Sequence, residues 1–131
     1  MVDLKFDSNE MWIEVSGKYL EEFTLRKDEI RYDQYLKTLD IFGERLGEGR
    51  KEKLKLFGLF PVSMTMPSGI KCWLHLDGVE EYLIEGVKKW DKDEVLSSVT
   101  KKKNIMQFVF ESGMRMLMRI EGSPRGYLKD L

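Results

Sequence analysis

The sequence predicts an α+β domain, in which a mainly antiparallel sheet of about 5–7 strands carries helices packed on one face. Three observations lead there. Several stretches alternate apolar and polar residues at strand period, several others set apolar residues on a helical stripe, and 131 residues suffice for one hydrophobic core but are cramped for two. Residues 1–131 are therefore read as a single compact domain.

Val2, Leu4 and Phe6 alternate with Asp3 and Lys5, Asp7–Glu10 supplies turn chemistry, and Met11–Val15 follows, which predicts a first hairpin. Lys18–Leu25 fits strand and helix spacing equally. Tyr32, Tyr35, Leu36, Leu39, Phe42 and Leu46 share one helical stripe, so a helix is expected over 32–46, ended by Gly47 and Gly49. Alternation then predicts strands at Lys53–Leu59 and Val62–Met66, a turn at Pro67-Ser68-Gly69 and a returning strand at Ile70–Leu76. Asp77-Gly78-Val79-Glu80 has the spacing of a capping box, and Val79, Tyr82, Leu83, Val87 and Trp90 line one stripe behind it. A strand after an Asp-Gly turn is the rival reading, but the stripe persists for three turns and so favours a helix over 79–90, and the same signature at Asp91–Glu94 announces a shorter one over Val95–Val99.

The final hairpin has the clearest local chemistry. With Glu111-Ser112-Gly113 as a three-residue loop and Gly113 in a left-handed conformation, Phe108 faces Met116 and Met106 faces Met118, so one side becomes wholly apolar. Any one-residue slip would mix charges into that side. Ser123-Pro124 then reads as an N-cap followed by proline at the first helical position, predicting a terminal helix to Leu131.

Composition excludes several classes. Apolar residues at 42% and charged residues at 34% rule out both a disordered polyampholyte and a membrane-spanning chain. The longest uncharged stretch, Leu56–Ile70, holds Gly58, Pro61, Pro67 and Gly69 and is no spanning helix. Met1 is not followed by a basic start and an apolar run, so no secretory signal is read, and with Cys72 as the lone cysteine a cytoplasmic location is expected. Alanine is absent, Asn and Gln are scarce, and Lys and Glu dominate the charges, a usage that resembles proteins from hot environments. Residues 1–49 carry 7 basic and 12 acidic side chains whereas 101–131 carry 7 and 3, a polarity that fits either a basic face for an anionic partner or, more simply, acidic helices packed beside a basic sheet.

No glycine-rich phosphate loop is present, and a single histidine, His75, lacks the second imidazole of a zinc hydrolase. Cys72 and His75 lie three positions apart on a strand and so point to opposite faces, against both a metal pair and a thiol–imidazole nucleophile. No cofactor, metal site or catalytic group is assigned. If strand 70–76 adjoins hairpin 105–120, Lys71, Trp73 and His75 share an outer face with Arg115 and Arg119, with Lys101, Lys102 and Lys103 at the hairpin entrance. Aromatic rings among cations on a pleated surface suit single-stranded nucleic acid, since bases stack on the rings while the cations neutralise phosphates. The expected function is accordingly a small non-enzymatic protein that binds single-stranded DNA or RNA through an open sheet face. A second reading is a homo-oligomeric structural or protein–protein interaction module, such as an accessory protein of a virus or mobile element. The third is a small hydrolytic enzyme.

Overall fold

The computed structural model describes residues 2–45, 69–86 and 93–131, with the backbone alone for 26–28. In chain order the elements are β1 (Asp3–Phe6), α1 (Asn9–Tyr19), β2 (Thr24–Asp33), β3 (Thr38–Arg45), β4 (Ile70–Glu85), β5 (Glu94–Lys102), β6 (Ile105–Phe110) and β7 (Arg115–Asp130). The strands follow the order β1-β7-β4-β3-β2-β5-β6, and β6 pairs back onto β7. Every pairing is antiparallel, so β2 to β7 close a six-stranded barrel and β1 hangs on β7 outside the ring.

The expected α+β layering, with helices on one sheet face, is thus replaced by a closed barrel with one short helix among the described residues. Each misread helix has a local cause. In 32–46, Asp33 Oδ1 accepts the backbone N–H groups of Tyr35 and Leu36, turning the chain between β2 and β3. Tyr35 and Leu36, counted on the helical stripe, are 98% and 72% exposed at that turn, while burial alternates strictly along β3. In 79–90, Gly78 at φ +67 is a bulge within β4 and not a cap residue, and Val79–Glu85 continues that strand. The pairing of β5 with β6 slips between Leu96 and Ser98, and the extra residue gives Leu96 and Val99 a helix-like spacing. Ser123-Pro124 sits inside β7, which runs on to Asp130 against β1 and β4. Conversely, the expected strand at Met11–Val15 is part of α1, whose N-cap Ser8 accepts the backbone N–H of Met11. β1 pairs with β7 instead.

The strand at Ile70–Leu76 and the last hairpin stand as read. Phe108 pairs with Met116, Met106 with Met118, and Gly113 has φ +95. The expected strands at 53–59 and 62–66 lie outside the described residues, as do 46 and 87–90 of two expected helices.

Two long strands shape the ring. β4 and β7 pair along their length, with register shifts around Val79 and left-handed glycines at Gly78 and Gly122. This bend lets one end of β7 serve β6 and the other serve β1. The interior is filled by Leu39, Ile41, Cys72, Leu74, Leu76, Met106, Phe108, Met116, Met118 and Leu128, all within 1% of complete burial. Helix α1 adds Trp12, packed 5.0 Å from the ring of Phe6 and stacked on Phe108 at 6.2 Å. A buried ion pair adds a polar contact to the interior: Arg45 Nε and an Nη donate to the two oxygens of Asp130 at 2.8 and 2.6 Å, and Asp130 also accepts the backbone N–H of Val2. No helix among the described residues is long and apolar enough to cross a membrane.

Candidate nucleic-acid interface

A filled barrel leaves its chemistry on the outside. Alternation turns Cys72, Leu74 and Leu76 inward, so Lys71, Trp73, His75 and Asp77 project outward from β4. On β3 their neighbours are Glu44, Phe42 and Asp40, and on β7 they are Lys129, Tyr127 and Arg125. Two further cations lie in line with this face: Arg31 on β2 opposite Asp40, and Lys5 on β1 opposite Tyr127.

Four rings form a continuous patch there. Phe42 lies alongside Trp73, nearly parallel at 5.7 Å; Tyr127 stands edge-on to Trp73 at 4.9 Å and stacks on His75 at 4.7 Å. The Arg31 guanidinium sits 5.8 Å over the Phe42 ring. Asp40 ties the patch together, since one of its oxygens accepts the Trp73 indole N–H at 2.7 Å and lies 2.6 Å from His75 Nδ1. His75 Nε2 is 2.9 Å from Asp77 Oδ1, so both ring nitrogens face carboxylates and the charged ring satisfies both. Burial would lower the His75 pKa, but the hydrogen bonds that the ring donates to Asp40 and Asp77 outweigh it and the net shift is upward. The Tyr127 phenol is pushed up by burial and by the same two carboxylates. A concavity of about 530 Å³ extends from Phe42 along Arg31, Gly43, Glu44 and Lys71.

The residues expected at the site divide into three groups. Lys71, Trp73 and His75 share the outer face, with Trp73 half-buried. Arg115 and Arg119 lie beyond the Gly78/Gly122 bend, opposite Glu85 and Glu81, and form ion pairs with them at 2.8 and 3.0 Å. They are neither beside Trp73 nor free cations. Lys101, Lys102 and Lys103 sit at the β5–β6 turn, where the Lys101 ammonium donates to the carbonyl of Lys103. Sequence reasoning missed Phe42, Asp40 and Tyr127, all three set in segments expected to be helical or left unassigned to the site. The alternation of Leu39, Ile41 and Gly43 with Asp40 and Phe42 was the available signal.

Cys72 is enclosed in the barrel while His75 is outside, so the two cannot act together. Burial pushes the Cys72 thiol up to about 12, which removes it as a nucleophile near neutral pH. Among the described residues no cluster of three or more His, Cys, Asp or Glu side chains could hold a metal ion. Compared with protein-family models, curated proteins and solved structures, the chain matches none.

Proposed function

We propose that the chain is a small non-enzymatic binding protein that takes single-stranded DNA or RNA across the outer face of β3, β4 and β7. The observation that carries this reading is the patch of Phe42, Trp73, His75 and Tyr127 on the outside of a barrel already filled by other side chains. Bases would stack on exposed ring surface, and Arg31, Lys71 and Lys129 would meet phosphates around it. Arg115 and Arg119, neutralised by Glu85 and Glu81, drop out of the phosphate contacts first expected of them. In this reading His75, with both ring nitrogens engaged by Asp40 and Asp77, holds the patch in shape.

Fluorescence anisotropy with labelled oligothymidylate and oligouridylate at low salt tests the proposal. Trp73→Ala and Tyr127→Ala should each weaken binding by about 1–3 kcal/mol with the fold intact. Arg115→Ala and Arg119→Ala should leave it unchanged. With about three cations in reach, log affinity should fall against log salt with a slope of roughly −2. Absence of binding to either strand type at low salt would reject the reading.

A further inference from the structure

Beyond the Gly78/Gly122 bend, the outer face of β4 and β7 carries a different pattern. Leu83 lies opposite Leu117, with Glu81 opposite Arg119 on one side and Glu85 opposite Arg115 on the other. Tyr82, Ile84, Met116 and Met118 alternate with them toward the core, which fixes the acid, leucine and arginine row as outward-facing. Leu83 is 54% exposed at its centre, although both flanking ion pairs are closed. An apolar centre between two neutralised pairs offers nothing to a polyanion.

We propose that this face joins two copies of the chain, across a two-fold axis that runs parallel to β4 and β7 and midway between them. Half a turn about that axis exchanges the strands without changing position along them, so β4 of one copy lies over β7 of the other. Leu83 meets the partner's Leu117, Glu81 faces the partner's Arg119, and Glu85 faces the partner's Arg115. Each glutamate then lies between its own arginine and a second one. The competing two-fold, also between the two facing sheets but perpendicular to the strands, would set Glu81 on the partner's Glu85 and Arg115 on the partner's Arg119. Like charges reject it. Charge complementarity also selects the occupant, because a second copy supplies the matching rows by construction whereas any other protein would have to reproduce their order.

Sedimentation equilibrium of the full chain, from about 10 μM to about 1 mM, should show a reversible dimer. Leu83→Glu and Leu117→Glu should leave monomers with unchanged circular dichroism. Glu81→Arg and Arg119→Glu should each weaken self-association by about tenfold or more, and mixing these two variants should restore a heterodimer. The competing axis gives the opposite result, since Glu81→Arg would then strengthen self-association. A chain that stays monomeric throughout, a dimer that survives Leu117→Glu, or a mixture that fails to associate would each overturn the proposal.

Discussion

His75 shows how one side chain can organise a surface. Its ring bridges Asp40 on β3 and Asp77 on its own strand, and Tyr127 covers one ring face. Through Asp40 it also fixes the acceptor of the Trp73 indole N–H, so the charged imidazole and the orientation of the indole are coupled. Burial opposes the charge, but the two carboxylates prevail and the folded pKa is raised. A raised folded pKa contributes stability that is complete below the unfolded value and disappears as pH rises through the folded one. As the chain's single histidine, His75 gives an uncrowded NMR titration. Its midpoint should lie above the ordinary histidine value and fall in Asp77→Asn, and Tm should decline with rising pH across that window in the parent chain but not in His75→Gln. An unshifted midpoint would contradict the bridging geometry. Asp130 has the opposite sign: the hydrogen bonds from Arg45 hold its pKa below the usual range despite burial, so its contribution persists at neutral pH and is lost on acidification.

At the scale of elements, two glycines should respond in opposite directions to the same change. Gly113 closes the β6–β7 hairpin at φ +95, and nothing lies within 4 Å of where a Cβ would stand. Gly113→Ala therefore meets backbone strain alone and should destabilise by about 1–2 kcal/mol. Gly17, within α1, has equal space around it but a helical backbone, so Gly17→Ala should stabilise by up to about 1 kcal/mol. Urea denaturation of the two variants checks both signs, and a loss at Gly17 would show that the helix packs differently. The same contrast explains what could be read in advance. The last hairpin was legible because turn chemistry and alternation agree within a short window, from Met106 to Met118. Lys71, Trp73 and His75 were legible for the same reason. The turn at Asp33–Lys37 and the slip at Leu96–Ser98 each insert residues that convert a strand period into an apparent helical one, so local pattern pointed the wrong way. Tyr127 was out of reach for another reason: no local signal says that β7 bends at Gly122 and continues beside Trp73, because that placement is made by β1 and β4.

For the molecule as a whole, closure of the ring decides how it comes apart. Among the described residues β2 and β5 pair only at Thr24–Val95 and Leu25–Glu94, whereas β4 and β7 pair over twelve positions. The β2–β5 seam is the place where the barrel would part first, and an opening confined there would expose Leu25 and Leu96 before the far wall moves. Cys72 is in that far wall, two strands from the seam, between Gly43 on β3 and Asp130 on β7. It is fully buried, and its thiol pKa of about 12 leaves almost no thiolate near neutral pH. Reaction with iodoacetamide should therefore require rupture of the β3–β4–β7 wall, and with it the core. Measured against urea, labelling of Cys72 should follow the global transition seen by circular dichroism, with the same denaturant dependence. Labelling at a denaturant-independent rate, well before that transition, would mean that the ring opens beside Cys72 and that the long β4–β7 ladder does not hold the barrel shut.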